Sequence, residues 1–272
     1  MNLYDTGPRP IIDAYLKKRS EEVRDYGDLW SASSGGYCMR LNIMRRLGVP
    51  KVPELQDNAT QTRIFEAGHI FHKFMQDLTK EAGISIAQEV ELIDNELKIK
   101  GHFDDLLLID GNLLLVDYKT AHSASFNYKK RQTEIGHYHK MQLGTYMYML
   151  RKGGIPLEAN TEYVMPGEFN IKDLKEARIL SISKDDLRMH ETQLLWTPKL
   201  EKEVYEYWAT LNGYWKAKTL PKCTCLEYDG GFMGRKSAKN KFYNDFFYND
   251  VPCSIEWFEK CKKEGRIKAY EK

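Results

Sequence analysis

No run of the 272-residue chain approaches the roughly 18 consecutive apolar residues of a membrane-spanning helix. The first residues, Met1-Asn2-Leu3-Tyr4-Asp5, lack the apolar core of a secretory signal. Neither sign of charge predominates. The 41 Lys and Arg against 39 Asp and Glu leave a net charge of +2, so any surface for a polyanion has to be a local patch. Cysteines number only five, and without an export signal they are expected to be free, catalytic or metal-bound rather than disulfide-paired. No internal repeat, low-complexity linker or helicase motif is present. These absences predict a cytoplasmic protein of one α/β domain with helical additions.

What is present reads in order. Residues 9–24 form a polar amphipathic pattern after Pro8 and Pro10. A small-residue loop, Trp30 to Gly36, leads into a helix over 37–47 stopped by Gly48 and Pro50. A further helix starts near Asn58 or Thr60 and ends at Gly83. It carries Ile64, Gly68, Phe71, Met75 and Leu78 at helical spacing. Alternation at 84–92 and 97–103 predicts strands, a polar loop spans 123–133, and a helix covers 136–152. Strands are expected around 161–165 and 178–183. Ser183 and Asp186 suggest a capping box for a helix to Trp196, interrupted by Pro198 and followed by a second helix to about Ala217. A last helix begins near Ser254.

One stretch organises the rest. Leu106-Leu107-Leu108-Ile109 and Leu113-Leu114-Leu115-Val116 flank Asp110-Gly111-Asn112, and Asp-Gly between apolar runs predicts a tight hairpin. A two-residue turn pairs Ile109 with Asn112 and Leu106 with Leu115. It also sets Asp104 opposite Asp117, with Lys119 on the same face. Two carboxylates placed opposite each other repel, and a bound divalent cation would reverse that sign. A bulged turn would shift the pairing and bring Asp105 into the place of Asp104.

Gly68 and His72 are one helical turn apart, and a missing Cβ at Gly68 would let that face approach a sheet or ligand. A neutral imidazole there is either a packed core group or a metal ligand; the paired aspartates favour the ligand. Gln142 and Tyr146 likewise share a face, able to hydrogen-bond a phosphate or base edge. His137 and His139 are two residues apart at a helix start and do not face each other.

Gly68-x-x-x-His72, Gly101-x-x-Asp104, Asp117-x-Lys119 and Gln142-x-x-x-Tyr146 together resemble the motifs of RecB-type nuclease domains of the PD-(D/E)XK superfamily. The resemblance implies a mixed central β-sheet flanked by helices. It also implies Mg²⁺ or Mn²⁺ held by His72, Asp104 and Asp117, with Lys119 orienting or activating the attacking water. DNA would be contacted by Gln142 and Tyr146. Such an enzyme hydrolyses phosphodiester bonds, for which a divalent metal ion can activate water, shield the phosphate and support the leaving oxygen. An exonuclease acting on single-stranded DNA ends in recombination, repair or phage DNA processing is the expectation, with a helicase or recombination protein as a partner. The alternatives are a structure-specific or nicking endonuclease and a non-catalytic DNA-binding assembly subunit.

Cys38 near one end and Cys223, Cys225 and Cys253 near the other resemble the ligands of the iron–sulfur subset of that family, which includes CRISPR-associated exonucleases and AddB-type proteins. There a [4Fe–4S] cluster joins the two ends of the nuclease domain. Cys-x-Cys with a distant third cysteine departs from the usual compact triplet, so zinc is the alternative. Cys261, four residues after Trp257, is expected to be a core thiol. The domain expectation is one nuclease domain over 1–272. Its catalytic core is about 60–185, with segments 1–57 and 186–272 packed together. The basic stretches Lys129-Lys130-Arg131, after Tyr128, and Arg235 to Lys241 are candidate substrate contacts.

Overall fold

The computed structural model describes residues 8–20, 27–49, 59–131, 134–155, 170–222 and 255–267. The strand expected at 161–165, the basic run at 235–241 and Cys223, Cys225 and Cys253 lie outside the described residues. Among the described residues no helix is long and apolar enough to cross a membrane.

The chain runs α1 (Pro8–Ser20), β1 (Trp30–Ser31), α2 (Met39–Arg46), α3 (Ala59–Glu81), β2 (Ser85–Asp94), β3 (Ile99–Ile109) and β4 (Asn112–Ala121). It continues through α4 (Ser123–Lys130), α5 (His137–Gly153), β5 (Glu176–Ser183), β6 (Met189–Leu195), α6 (Pro198–Lys216) and α7 (Ile255–Lys263). The strands make one mixed sheet in the order β1-β3-β4-β5-β6, with β2 also paired to β3. β2, β3 and β4 are successively antiparallel, β4 and β5 are parallel through the crossover containing α5, and β6 returns antiparallel. This is the mixed α/β architecture expected from the sequence.

Local chemistry sets the ends of these elements. α3 closes at Gly83 (φ +69), with Gly83 N–H donating to the Lys80 carbonyl and Ile84 N–H to the Thr79 carbonyl. That pair of bonds is a Schellman motif, which satisfies the last free carbonyls through a left-handed residue that glycine adopts cheaply. In the hairpin, Asp110 (φ +49) and Gly111 (φ +77) are both left-handed, as a two-residue type I′ turn requires. The observed pairs Ile109–Asn112, Leu106–Leu115 and Asp105–Val116 give the register that the turn predicted.

The sheet buries two unequal cores. The larger includes Phe103, Leu106 and Leu115 from the sheet, Met147 and Leu150 from α5, and Val204, Trp208 and Leu211 from α6. The smaller sets Met75 of α3 against Leu107, Leu114, Val116 and Tyr118. α6 is fastened to the N-terminal segment and to the turn between β2 and β3 by polar bonds. Trp30 Nε1 donates to Asn212 Oδ1 (2.8 Å), Asn212 Nδ2 to the Leu97 carbonyl (2.7 Å), and Asn42 Nδ2 to the Tyr207 hydroxyl (2.9 Å). The Arg46 guanidinium stacks on both Trp30 and Trp215, 4.3 and 4.2 Å from their ring centres.

Two expectations are corrected here. The helix expected from Ser183 to Trp196 is a hairpin return. Leu187 (φ +58) turns the chain, and β6 pairs along β5 from Met189 to Leu195. Exposure alternates residue by residue along β6, so period two prevailed over the cap signal. Pro198 therefore starts α6 instead of interrupting a helix, with Thr197 as N-cap accepting from Leu200 N–H at 3.1 Å. The polar loop expected at 123–133 contains α4, capped by the His122 side chain.

Candidate active site

β3 changes neighbours along one edge. Its start pairs with β1 at Ile99 and Lys100, and its end pairs with β4 from Asp105 onward. Asp104 lies between the two. The face alternation also slips here: Phe103 and Leu106 both pack in the larger core although three residues apart, while Leu107 faces α3 in the smaller one. The slip sends adjacent aspartates to different tasks.

Asp105 is fully buried on the α3 side. It accepts from Thr79 Oγ1 (2.6 Å), Ser85 Oγ (2.6 Å), the Tyr118 hydroxyl (2.9 Å) and Gln88 Nε2 (3.2 Å). Burial raises its pKa against the opposing pull of these donors. Asp104 instead stands where β4 leaves the β3 ladder, and its Oδ2 accepts the Tyr118 backbone N–H at 2.7 Å. His72 Nδ1 approaches the same oxygen at 3.4 Å.

Beyond that point β4 carries Asp117 and Lys119, which share a face. Lys119 Nζ lies 2.7 Å from Asp117 Oδ2, and Gln142 Nε2 of α5 donates to Asp117 Oδ1 at 3.0 Å. The ammonium is thus the charge partner of Oδ2, and the amide of Gln142 serves Oδ1. The structure thus brings together His72, Asp104, Asp117, Lys119 and Gln142 from α3, β3, β4 and α5.

The electrostatics follow from crowding. Burial, then the neighbouring Asp117 carboxylate, pushes the Asp104 pKa well above the ordinary aspartate range, and Lys119 only partly offsets them. Burial disfavours the Lys119 ammonium, but Asp117 and Asp104 outweigh it and hold its pKa above the usual lysine value. Burial and then Lys119 lower the His72 pKa, so its imidazole is neutral at neutral pH. A neutral imidazole is the form that binds metal.

Among the described residues no three His, Cys, Asp or Glu side chains are gathered as a ready metal cage. The donor set nevertheless fits a hard divalent cation. Two buried carboxylates share one recess, and crowding disfavours the charged form of Asp104 despite Lys119 and the Tyr118 N–H, a penalty that a bound cation would relieve. Oxygen donors of this kind suit Mg²⁺ or Mn²⁺. With Lys119 against Asp117, the ammonium supplies part of the charge that such an ion would bring.

Several placements were not legible beforehand. Tyr146, expected beside Gln142 on a DNA-facing surface, is buried with its ring against Gly101. A Cβ at Gly101 would come within 2.6 Å of Ala32 Cβ and 2.9 Å of Tyr146 Cε1, so this glycine permits close packing beneath the site. Gly68 has no such need: a Cβ there would meet only Thr120 Oγ1 at 3.7 Å. Glu89 of β2, in a left-handed conformation (φ +51), adds a third carboxylate whose charge raises the Asp104 pKa. Gln76 donates to Glu89 Oε1 (2.8 Å) and to the Asp104 carbonyl (2.9 Å). Gln76 extends the four-residue spacing from Gly68 through His72, the signal by which it could have been found. Glu89 had no such signal, because β2 alternates past it.

Cys38 and Cys261 are both buried in the larger core and neither is in a disulfide. Cys261 is thus the core thiol expected.

No curated protein matches the sequence. Among solved structures, the protein SSO0001 is 17% identical, with a TM-score of 0.45 over 81% of this chain and 91% of its own. An alkaline exonuclease from Laribacter hongkongensis is 15% identical, with a TM-score of 0.42 over 70% of this chain and 93% of its own. A phage-related exonuclease from Haemophilus somnus 129PT is 15% identical, with a TM-score of 0.34 over 54% and 67%. The family model of the PD-(D/E)XK nuclease superfamily matches residues 67–225, a span that contains every residue of the recess between β3 and β4. The chain belongs to the PD-(D/E)XK nuclease superfamily.

Proposed function

We propose that this nuclease hydrolyses DNA phosphodiester bonds with Mg²⁺ or Mn²⁺, as an exonuclease on single-stranded ends. The observation that carries the reading is the convergence of His72, Asp104, Asp117 and Lys119 where β4 leaves β3. His72, Asp104 and Asp117 would hold the ion, which supplies charge shielding at the phosphate and a lowered pKa for the attacking water. Lys119, kept charged by its two aspartates, serves as an electrostatic stabiliser of the developing negative charge rather than as a base. Gln142 fixes the Asp117 carboxylate through its amide. The exonuclease mode and the single-strand preference follow from the resemblance of the four motifs to RecB-type nucleases.

The same reading includes a [4Fe–4S] cluster on Cys38, Cys223, Cys225 and Cys253. Supporting it, Arg40 Nε donates to the Pro221 carbonyl at 2.7 Å, which brings the chain just ahead of Cys223 to α2, where Cys38 is the N-cap. A brown protein with broad visible absorption is expected; a colourless preparation containing zinc would replace the cluster with a zinc site.

End-labelled linear and closed circular single-stranded DNA, each incubated with Mn²⁺ or with EDTA, tests the activity. Metal-dependent loss of the linear strand with intact circles is expected. Cut circles would make the enzyme an endonuclease, and binding without cleavage would leave a DNA-binding subunit.

A further inference from the structure

Two side chains with no role in the site described above stand beside Asp117 and Lys119. Lys129 is in the last turn of α4, three residues beyond buried Phe126 and therefore on the inward face of that helix. His139 is in the first turn of α5, three residues before Gln142, whose amide touches Asp117. Both are half-buried. Each lies within electrostatic reach of Lys119 and Asp117, and His139 also of Lys129.

Lys129 and His139 stand outside the pairing of Lys119 with its two aspartates. Asp117 is already engaged by Lys119. Among the described residues no carboxylate lies within ion-pairing distance of Lys129 or His139. Lys129 is therefore a half-buried ammonium with no carboxylate in ion-pairing distance among the described residues, beside a lysine already paired, a position that an incoming anion would stabilise. A backbone phosphate is the anion a nuclease brings.

We propose that Lys129 and His139 form a phosphate-binding subsite beside the Asp104–Asp117 centre, holding the DNA phosphate next to the one being cleaved. The subsite rests on the nuclease reading above. Lys129 supplies the charge. His139, kept neutral by burial, supplies one ring N–H as a donor. Both are positioning residues: they register the strand so that the scissile phosphate falls between Asp104, Asp117 and Lys119.

Binding of a fluorescent single-stranded oligonucleotide, with Ca²⁺ in place of Mg²⁺ and over a series of KCl concentrations, tests the subsite. Lys129→Met is expected to bind about tenfold more weakly, the loss of one charge-assisted contact. Its plot of log affinity against log salt should be shallower by about 0.7, the value of one phosphate contact on a single strand. Lys129→Arg should restore both, and His139→Gln should bind better than His139→Leu. A second arm places one uncharged methylphosphonate at successive positions in the strand. At the phosphate flanking the cleavage point it should weaken wild-type protein and leave Lys129→Met unaffected, a non-additive pair. This scan on wild-type and Lys129→Arg protein keeps the test decisive if Lys129→Met does not fold. Wild-type affinity and slope in Lys129→Met, or additive losses, would overturn the subsite while leaving the nuclease reading intact. Wild-type protein that neither binds nor cuts DNA with Mn²⁺ would overturn both.

Discussion

The adjacent aspartates of β3 carry opposite expectations for substitution. Asp104→Asn removes one of two crowded carboxylates, so the metal-free protein should melt no lower than wild type, while cleavage and the rise in Tm caused by Mn²⁺ are both lost. Asp105→Ala strands the Thr79, Ser85, Tyr118 and Gln88 donors in a buried cavity. A cost of about 2–4 kcal/mol in denaturant unfolding is expected. Lys119→Ala should reduce kcat on single-stranded DNA at least ~100-fold, as removal of an oxyanion-stabilising group does, with unchanged circular dichroism. Wild-type turnover in that variant would remove Lys119 from the chemistry. The sequence pointed to Asp104, Asp117 and Lys119 because they sit on one hairpin whose turn fixes their pairing. It gave no sign of Glu89, and although it marked Lys129 in a basic stretch and His139 beside His137, it could not place either next to Asp117, because they join from α4 and α5 through packing that no local pattern encodes.

At the scale of elements, two glycines divide cleanly by what surrounds them. A methyl at Gly101 would press on Ala32 Cβ and the Tyr146 ring, both in the core and neither free to retreat. Gly101→Ala should cost about 1–3 kcal/mol by denaturant unfolding, the usual penalty of overpacking. At Gly144 of α5 the new Cβ would meet the tips of Val204 and Leu200 at 3.0 and 3.1 Å. Alanine also gains up to about 1 kcal/mol of helix propensity over glycine, so Gly144→Ala should stay within about 1 kcal/mol of wild type. The hairpin was readable from its Asp-Gly turn, and the helices α2, α3 and α5 from apolar periodicity ended by glycine at 48, 83 and 153–154. β6 was not, since Ser183 and Asp186 imitate a helix start. The slip at Asp104 was hidden for a related reason: alternation predicts a uniform strand, and only the change of neighbour from β1 to β4 breaks it.

For the molecule as a whole, buried histidines and buried aspartates pull the response to acid in opposite directions. Burial, with Lys119 second, pushes the His139 pKa down from 6.5 to about 4, and burial lowers His72 and His137 as well. In the window between pH 6.5 and about 4 the unfolded chain binds these protons more readily than the folded one. Stability contributed by the neutral imidazoles is therefore present above pH 6.5 and is lost as pH falls through that window. Asp104 and Asp105, whose pKa values are raised, act in the opposite direction from pH 3.8 upward. The His139 share is isolated by comparison with His139→Gln: its Tm should fall less steeply than wild type between pH 6.5 and 4.5, and parallel curves would deny His139 this role. The hairpin tip offers a practical handle on the same molecule. Asp110, Gly111 and Asn112 are exposed, and Gly111 has no atom within 4 Å of where a Cβ would stand. Six residues of strand, about 20 Å, separate Gly111 from Asp117. A short peptide tag spliced into this turn would tether the protein to a surface by the end of β3 and β4 remote from the catalytic recess, leaving that recess free to take in a strand while single molecules are watched.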